Sequence, residues 1–166
     1  MSPRALSCPV HVVATMDIRV ADNPTTLDAA RALVRAHLEL HSVETAAIQR
    51  VVDTLPSPYL PPTGELWVAY SGDDPLGCAA FQTIAQATAE LKRVFVRPDA
   101  RRRGIARALM VHAIATIRER GYARVRLGTQ ETAIGAQRLY EGLGFRRIEP
   151  YRKADFGTVW FYELLM

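Results

Sequence analysis

The segment Val94-Phe95-Val96-Arg97-Pro98-Asp99-Ala100-Arg101-Arg102-Arg103-Gly104-Ile105-Ala106 constrains the fold more than any other part of the chain. Its β-branched and aromatic start reads as the end of a strand. Pro98 has no N–H to give to a ladder and forbids continuation. After a short loop an apolar repeat begins. Ile105, Leu109, Ala113 and Ile117 recur every four residues with Met110 and Ile114 beside them, the pattern of a helix that buries one face. Gly121 stands at the position where such a helix stops. A strand that runs straight into an amphipathic helix needs a sheet beneath that helix, which directs the chain to a mixed α/β architecture.

The rest of the chain supplies that sheet. Asp17–Val20 alternates as a short strand, and Asp22-Asn23-Pro24 opens a helix carrying Leu27, Ala30, Leu33, Val34 and Leu38. A second helix is predicted from about Val43 to Thr54. The proline-rich run 56–64 excludes helix and central strand alike. Strands are predicted at 65–70, 76–84 and 89–97, with a turn at 71–74. The link 85–88 has neither Gly nor Pro, a weak hairpin signal. A helix over 104–120, a strand over 124–129, a helix over 132–141 and closing strands at 145–149 and 159–165 complete the order. Alternation places Glu90, Lys92, Val94 and Val96 on one face of their strand, and Leu91, Arg93 and Phe95 on the other. Residues 16–166 read as one domain and residues 1–15 as an N-terminal extension.

With 166 residues and 49% hydrophobic content, the chain can bury a core without staples. Cys8 and Cys78 have no metal-type spacing, so no metal site is expected, and a reduced, cytoplasmic setting fits. No apolar run approaches the ~20 residues that span a membrane. The net charge of +4 raises the question of nucleic acid, but the excess is local. Arg97, Arg101, Arg102, Arg103 and Arg107 fall within eleven residues, a knot that suits one compact polyphosphate better than a long backbone. The arginines crowd the start of a helix, against its dipole, where packing alone gives them no purpose. Gly104 and Ala106 leave the first-turn N–H groups open to a phosphate.

The segment is neither a P-loop nor a dinucleotide fingerprint. It resembles the acetyl-CoA signature of the GNAT (GCN-five-related) N-acetyltransferase superfamily, Gln/Arg-x-x-Gly-x-Gly/Ala, met here by Arg101, Gly104 and Ala106. A second motif follows in the order and on the elements the family uses. Ala136-Gln137-Arg138-Leu139-Tyr140-Glu141-Gly142-Leu143-Gly144-Phe145 is similar to its Ala-x-x-Leu-Tyr-x-x-x-Gly-Phe. The resemblance covers roughly residues 65–165. It implies the GNAT acyl-CoA N-acyltransferase fold, a mixed twisted sheet flanked by helices. It also implies acetyl-CoA as co-substrate, held by Val94, Phe95, Val96, Arg101, Arg102, Arg103, Gly104, Ile105, Ala106 and Arg107 beside a splay between the fourth and fifth strands. The Val96 amide is then the donor to the thioester carbonyl and Tyr140 the acid for the departing thiolate. In family members Asn often stands seven residues before this Tyr. Here Ala133 takes its place, with Gln130 and Gln137 as the nearest substitutes.

An alkylamine is mostly protonated at neutral pH and attacks only as the free base, so a proton acceptor is needed. Glu90, eleven residues before Arg101, stands where histone-type members carry a catalytic Glu, and is the candidate; His37, His41 and His112 are other titrating groups. Tyr59, Trp67, Phe81 and Tyr151 are candidate walls of an acceptor pocket. The expected function is transfer of acetyl to a primary amine of a small molecule, amino acid or peptide. No nucleic acid or membrane partner is expected, and a homodimer is compatible with the chain. Two alternatives are a non-catalytic acyl-CoA-binding regulatory module and a basic nucleic-acid binder, which would lack a CoA response.

Overall fold

The computed structural model describes residues 15–154 and 157–166. Residues 1–14 of the expected extension lie outside the described residues. Strand β1 (Met16–Val20) leads into helix α1 (Pro24–Leu40). Asn23 caps α1 through a reciprocal pair: its side chain accepts from the Thr26 N–H at 3.1 Å, and the Thr26 hydroxyl accepts from the Asn23 N–H at 3.3 Å. Helix α2 (Thr45–Thr54) follows, then β2 (Gly64–Ser71), β3 (Asp74–Ala85) and β4 (Thr88–Val96). A 3₁₀ turn at Pro98–Ala100 precedes α3 (Ile105–Glu119), β5 (Arg124–Gln130), α4 (Ile134–Gly142), β6 (Arg146–Ile148) and β7 (Val159–Leu165). The predicted element order holds. The weak hairpin between β3 and β4 turns on Gln86–Ala87, with Ala87 in the left-handed region at φ 51°.

The seven strands lie in the order β1-β2-β3-β4-β5-β7-β6, and β4–β5 is the parallel pair among antiparallel neighbours. Helices cover both faces. Under α1 and α2 lie Leu66, Val68, Tyr70, Cys78, Ala80 and Phe95; on the other face Trp67, Ala79, Phe81 and Leu91 share a core with Leu109 of α3 and Tyr140 of α4. Each fully buried aliphatic side chain stabilises by about 1.5–3 kcal/mol, which offsets the ordering of the chain.

One expectation about β4 is corrected. Cys78 pairs with Phe95, but Ala80 pairs with Lys92, so β4 carries one residue more than β3 at this point. The extra residue is a bulge at Arg93, whose φ is +58°. The Cys78 thiol, which burial pushes up to about 12, donates to the Arg93 carbonyl at 3.2 Å and satisfies the bulge from inside. The bulge inverts the alternation beyond it. Val94 and Val96 turn to the α3 side with Leu91, while Phe95 joins the core under α1.

Candidate active site

Strands β4 and β5 pair only over Thr88–Glu90 and then diverge. The edge of β4 from Leu91 to Val96 therefore faces a cleft of about 630 Å³ instead of a neighbouring strand. Leu91–Val96 form one wall, Leu127–Gln130 the other, and α1, α3, α4 and Arg152 contribute to its ends. The Arg97 N–H donates to the Leu76 carbonyl on β3. Backbone groups alternate between the two edges of a strand, so the Val96 N–H points the other way, into the cleft. The Val96 carbonyl accepts from Arg101 Nε at 3.2 Å, leaving the N–H as the group on offer at this edge.

At one end of the cleft stands the N-terminus of α3. Its N-cap is Gly104, at φ 77°, and no side chain caps the helix. The first in-helix bond runs from the Ala108 N–H to the Gly104 carbonyl, so the N–H groups of Ile105, Ala106 and Arg107 precede the helical ladder. A Cβ built on Gly104 meets nothing within 4 Å, so the space in front of the turn is open. This is a fitting place for a phosphate group. Arg101, Arg102 and Ala106 line the cleft directly. Arg103 and Arg107 are exposed beside it, and the Ile105 side chain is buried in the core at 3% exposure, so only its backbone can serve a ligand. Arg97 does not join this group. It pairs with Asp74 at 2.5 Å and Asp99 at 2.6 Å and braces the 3₁₀ turn.

At the other end, α4 presents Tyr140 to the cleft. The ring packs near Phe145 and Tyr162, and burial pushes its hydroxyl up to about 12. Ala133, Gly135, Ala136 and Leu139 complete this wall. Of the two glutamines considered in place of an Asn, Gln130 lines the cleft. Gln137 is committed to the backbone, its amide donating to the Gln130 and Glu131 carbonyls at 3.1 and 2.8 Å.

Glu90 does not line the cleft. It is 1% exposed and accepts three hydrogen bonds: from Arg152 Nε at 2.6 Å, from the Tyr151 hydroxyl at 2.7 Å and from Gln82 at 3.2 Å. Burial and this carboxylate both raise the Tyr151 pKa, so the phenol stays a donor. Three of the aromatics considered as pocket walls are core residues: Trp67 and Phe81 stack under α3, and Tyr59 is buried, its hydroxyl accepting from Arg93 Nε at 3.1 Å. Tyr151 faces Glu90. The side chains on the α1 side of the cleft are instead His37, His41, Lys92, Arg93 and Arg152. His37 stacks on Phe95 with ring centroids 5.4 Å apart. Burial, then the neighbouring His41, Arg93 and Arg101, push its pKa down to about 3, so the ring is neutral. Arg152 was not legible from the sequence. It lies outside both motifs, seven residues after Phe145, and no local pattern ties it to the cleft that it lines.

No helix among the described residues is long and apolar enough to cross a membrane, and no group of three metal-type side chains occurs among them.

The family model described as acetyltransferase (GNAT) family matches residues 29–145. An uncharacterized N-acetyltransferase of Schizosaccharomyces pombe is 32% identical over 148 residues, covering 86% of this chain and 90% of that protein. The uncharacterized N-acetyltransferase YsnE of Bacillus subtilis is 34% identical over 93 residues, covering 55% of this chain and 60% of its own length. In fold, the chain is similar to the crystal structure of the PaiA N-acetyltransferase from Thermoplasma acidophilum in complex with coenzyme A. The TM-score is 0.70 at 16% identity, over 92% of this chain and 99% of that one.

Proposed function

The chain belongs to the acetyltransferase (GNAT) family and is an acetyl-CoA-dependent acyltransferase, and we propose that it moves acetyl by direct transfer to the primary amine of a small molecule. The observation that carries this reading is the cleft itself. It runs along the unpaired edge of β4, from the uncapped N-terminus of α3 to Tyr140. When bound, acetyl-CoA supplies an acetyl group activated as a thioester. The first-turn N–H groups of α3, with Arg101, Arg102, Arg103 and Arg107, hold its phosphates. Val94, Phe95 and Val96 would offer backbone to its arm, and the Val96 N–H would donate to the thioester carbonyl oxygen. Tyr140 donates to the sulfur. The amine nitrogen would bond to the acetyl carbon and the bond from that carbon to sulfur would break; the amine's proton would pass to water in the cleft, and the departing thiolate, hydrogen-bonded by Tyr140, would take its proton from water. Walls from α1, β4, β5, α4 and the Arg152 segment favour a compact acceptor. Glu90, enclosed by its three donors, is assigned to positioning Arg152 rather than to taking the amine's proton.

Thermal melts with acetyl-CoA, CoA and an oligonucleotide test the reading, followed by thiol detection over an amine panel. Ligand at 100 times its Kd should stabilise the native state by about 2.7 kcal/mol. Acetyl-CoA is expected to raise the midpoint, and at least one amine to release thiol. A raised midpoint with no turnover of any amine points to the regulatory module, and a response to the oligonucleotide alone overturns the reading.

A further inference from the structure

The bulge in β4 decides which backbone group meets the cleft. Between the pairs Cys78–Phe95 and Ala80–Lys92, Ala79 on β3 stands opposite two residues, Arg93 and Val94. One extra residue shifts the phase of a strand by one, for side-chain faces and for backbone edges alike. Beyond the bulge the Arg97 N–H turns to the Leu76 carbonyl on β3 and, by alternation, the Val96 N–H turns to the cleft. A regular strand would exchange the two edges. Val96 would then give its N–H to β3, and the amides of Phe95 and Arg97 would face the cleft.

That phase rests on a strained residue. Arg93 has φ +58°, in the left-handed region that residues other than glycine rarely occupy, and such a conformation persists only where its surroundings hold it. Two groups from the core under α1 do so. The thiol of the buried Cys78 donates to the Arg93 carbonyl at 3.2 Å, and the hydroxyl of the buried Tyr59 accepts from Arg93 Nε at 3.1 Å. Tyr59 belongs to the proline-rich run, and its own N–H donates to the Pro56 carbonyl at 2.7 Å. Backbone and side chain of the bulge residue are thus held at once, one from β3 and the other from the loop before β2. Cys78 and Tyr59 stand outside the cleft lining, which Arg93 joins, so they act on the cleft through Arg93.

Resting on the acetyl-CoA reading above, we infer that Cys78 and Tyr59 are positioning residues for acetyl transfer: by clamping Arg93 they keep the β4 bulge in place and the Val96 N–H aimed at the thioester carbonyl. The proline-rich run thereby gains a purpose beyond linking α2 to β2, since it delivers the Tyr59 hydroxyl to the bulge. Loosening the clamp costs rate more than cofactor affinity. The first turn of α3, where that reading places the phosphates, is untouched, whereas a misaimed donor is missed most when charge builds on the carbonyl oxygen.

Three variants separate clamping from packing. Cys78→Ala removes the donor, Cys78→Ser keeps one at nearly the same size, and Tyr59→Phe loses a single oxygen. With acetyl-CoA saturating and an amine that the wild type turns over, Cys78→Ala and Tyr59→Phe should each lower kcat by about threefold or more, the range of one hydrogen bond. Acetyl-CoA Kd, by titration calorimetry, should change by less than about twofold. Cys78→Ser should exceed Cys78→Ala in kcat by about twofold or more, a rescue that core filling does not supply. The second readout needs no turnover. In the ligand-free protein, exchange of the Arg97 amide, taken relative to the amides of α3, should speed by about threefold or more in Cys78→Ala and Tyr59→Phe, because its bond to Leu76 belongs to the bulged register. Unchanged kcat in both variants, equal kcat in Cys78→Ser and Cys78→Ala, or Arg97 exchange equal to wild type overturns the inference. Should Cys78→Ala fail to fold, Tyr59→Phe decides alone. A wild type whose midpoint acetyl-CoA does not raise, or that releases thiol with no amine, removes the underlying reading and the inference with it. A raised midpoint and turnover that the variants leave untouched strike the clamp alone.

Discussion

Tyr140 keeps its proton to a pH well above that of a free phenol, because burial penalises the phenolate. With a pKa of about 12, full proton transfer to a thiolate whose own pKa is near ~8.5 is uphill. In the proposed mechanism the residue therefore acts first as a hydrogen-bond donor to the charge developing on sulfur. Tyr140→Phe should fold, since one hydroxyl leaves, and should lower kcat by about tenfold while acetyl-CoA affinity stays within about threefold. The sign of the pH dependence follows from the raised value. The donor is intact below the ordinary tyrosine pKa and is lost only as pH climbs toward about 12, so Tyr140 contributes no falling limb between pH 8 and about 10. Stopped-flow thiol release where chemistry limits the rate checks both points. Equal kcat in the variant removes Tyr140 from the mechanism. Glu90 and Arg97 make the complementary point: the sequence offers Glu90 as the base and counts Arg97 in the arginine knot, and both spend their charge on local ion pairs.

Two elements make the cleft, the bulged strand β4 and the helix α3. The bulge at Arg93 turns Val96 to the α3 side, and the parting of β4 from β5 leaves its N–H facing open space. At α3, the left-handed Gly104 lets a short loop enter the helix without a side-chain cap. Gly104→Ala and Gly104→Glu both place a Cβ at φ 77°, a strain of about 1–3 kcal/mol shared by the two variants. Only the Glu variant sets a carboxylate against the first-turn N–H groups, where it competes with phosphate. Acetyl-CoA affinity should fall by about tenfold or more in Gly104→Glu and by less than about threefold in Gly104→Ala. Titration calorimetry on the folded variants makes the comparison, and equal affinities would show that the phosphates lie elsewhere.

Across the whole molecule, three residue pairs of β4 with β5 join the antiparallel half β1–β4 to the half β5-β7-β6, and α3 and α4 pack on one shared core. A ligand lying in the splay touches both halves. Acetyl-CoA should therefore slow hydrogen exchange at the amides of Val94–Val96 on β4 and of Leu127–Thr129 on β5 together. Protection confined to one strand would mean that the ligand does not bridge the gap. Residues 16–166 are expected to unfold in one transition, with the ligand raising its midpoint.

Much of this was readable from local pattern. Apolar periodicity set the type and order of nearly every element, because each helix or strand needs one apolar face whatever it packs against. Pro98, Gly104 and the arginines marked the α3 end of the cleft, and Leu139-Tyr140 with Gly144-Phe145 marked the opposite wall, since those residues sit within single strand–loop–helix units. The bulge at Arg93 escaped, because an extra residue in a strand is defined by its partner strand and leaves no period in its own sequence. Burial also escaped: Trp67 and Phe81 look the same in sequence whether they line a pocket or fill a core. The pairing of Glu90 with Arg152 is the clearest case. The two residues are 62 positions apart, and no local rule couples them. Only the closure of the sheet, with the segment before β7 folded back over β4, turned a strand carboxylate into the anchor of a cleft arginine.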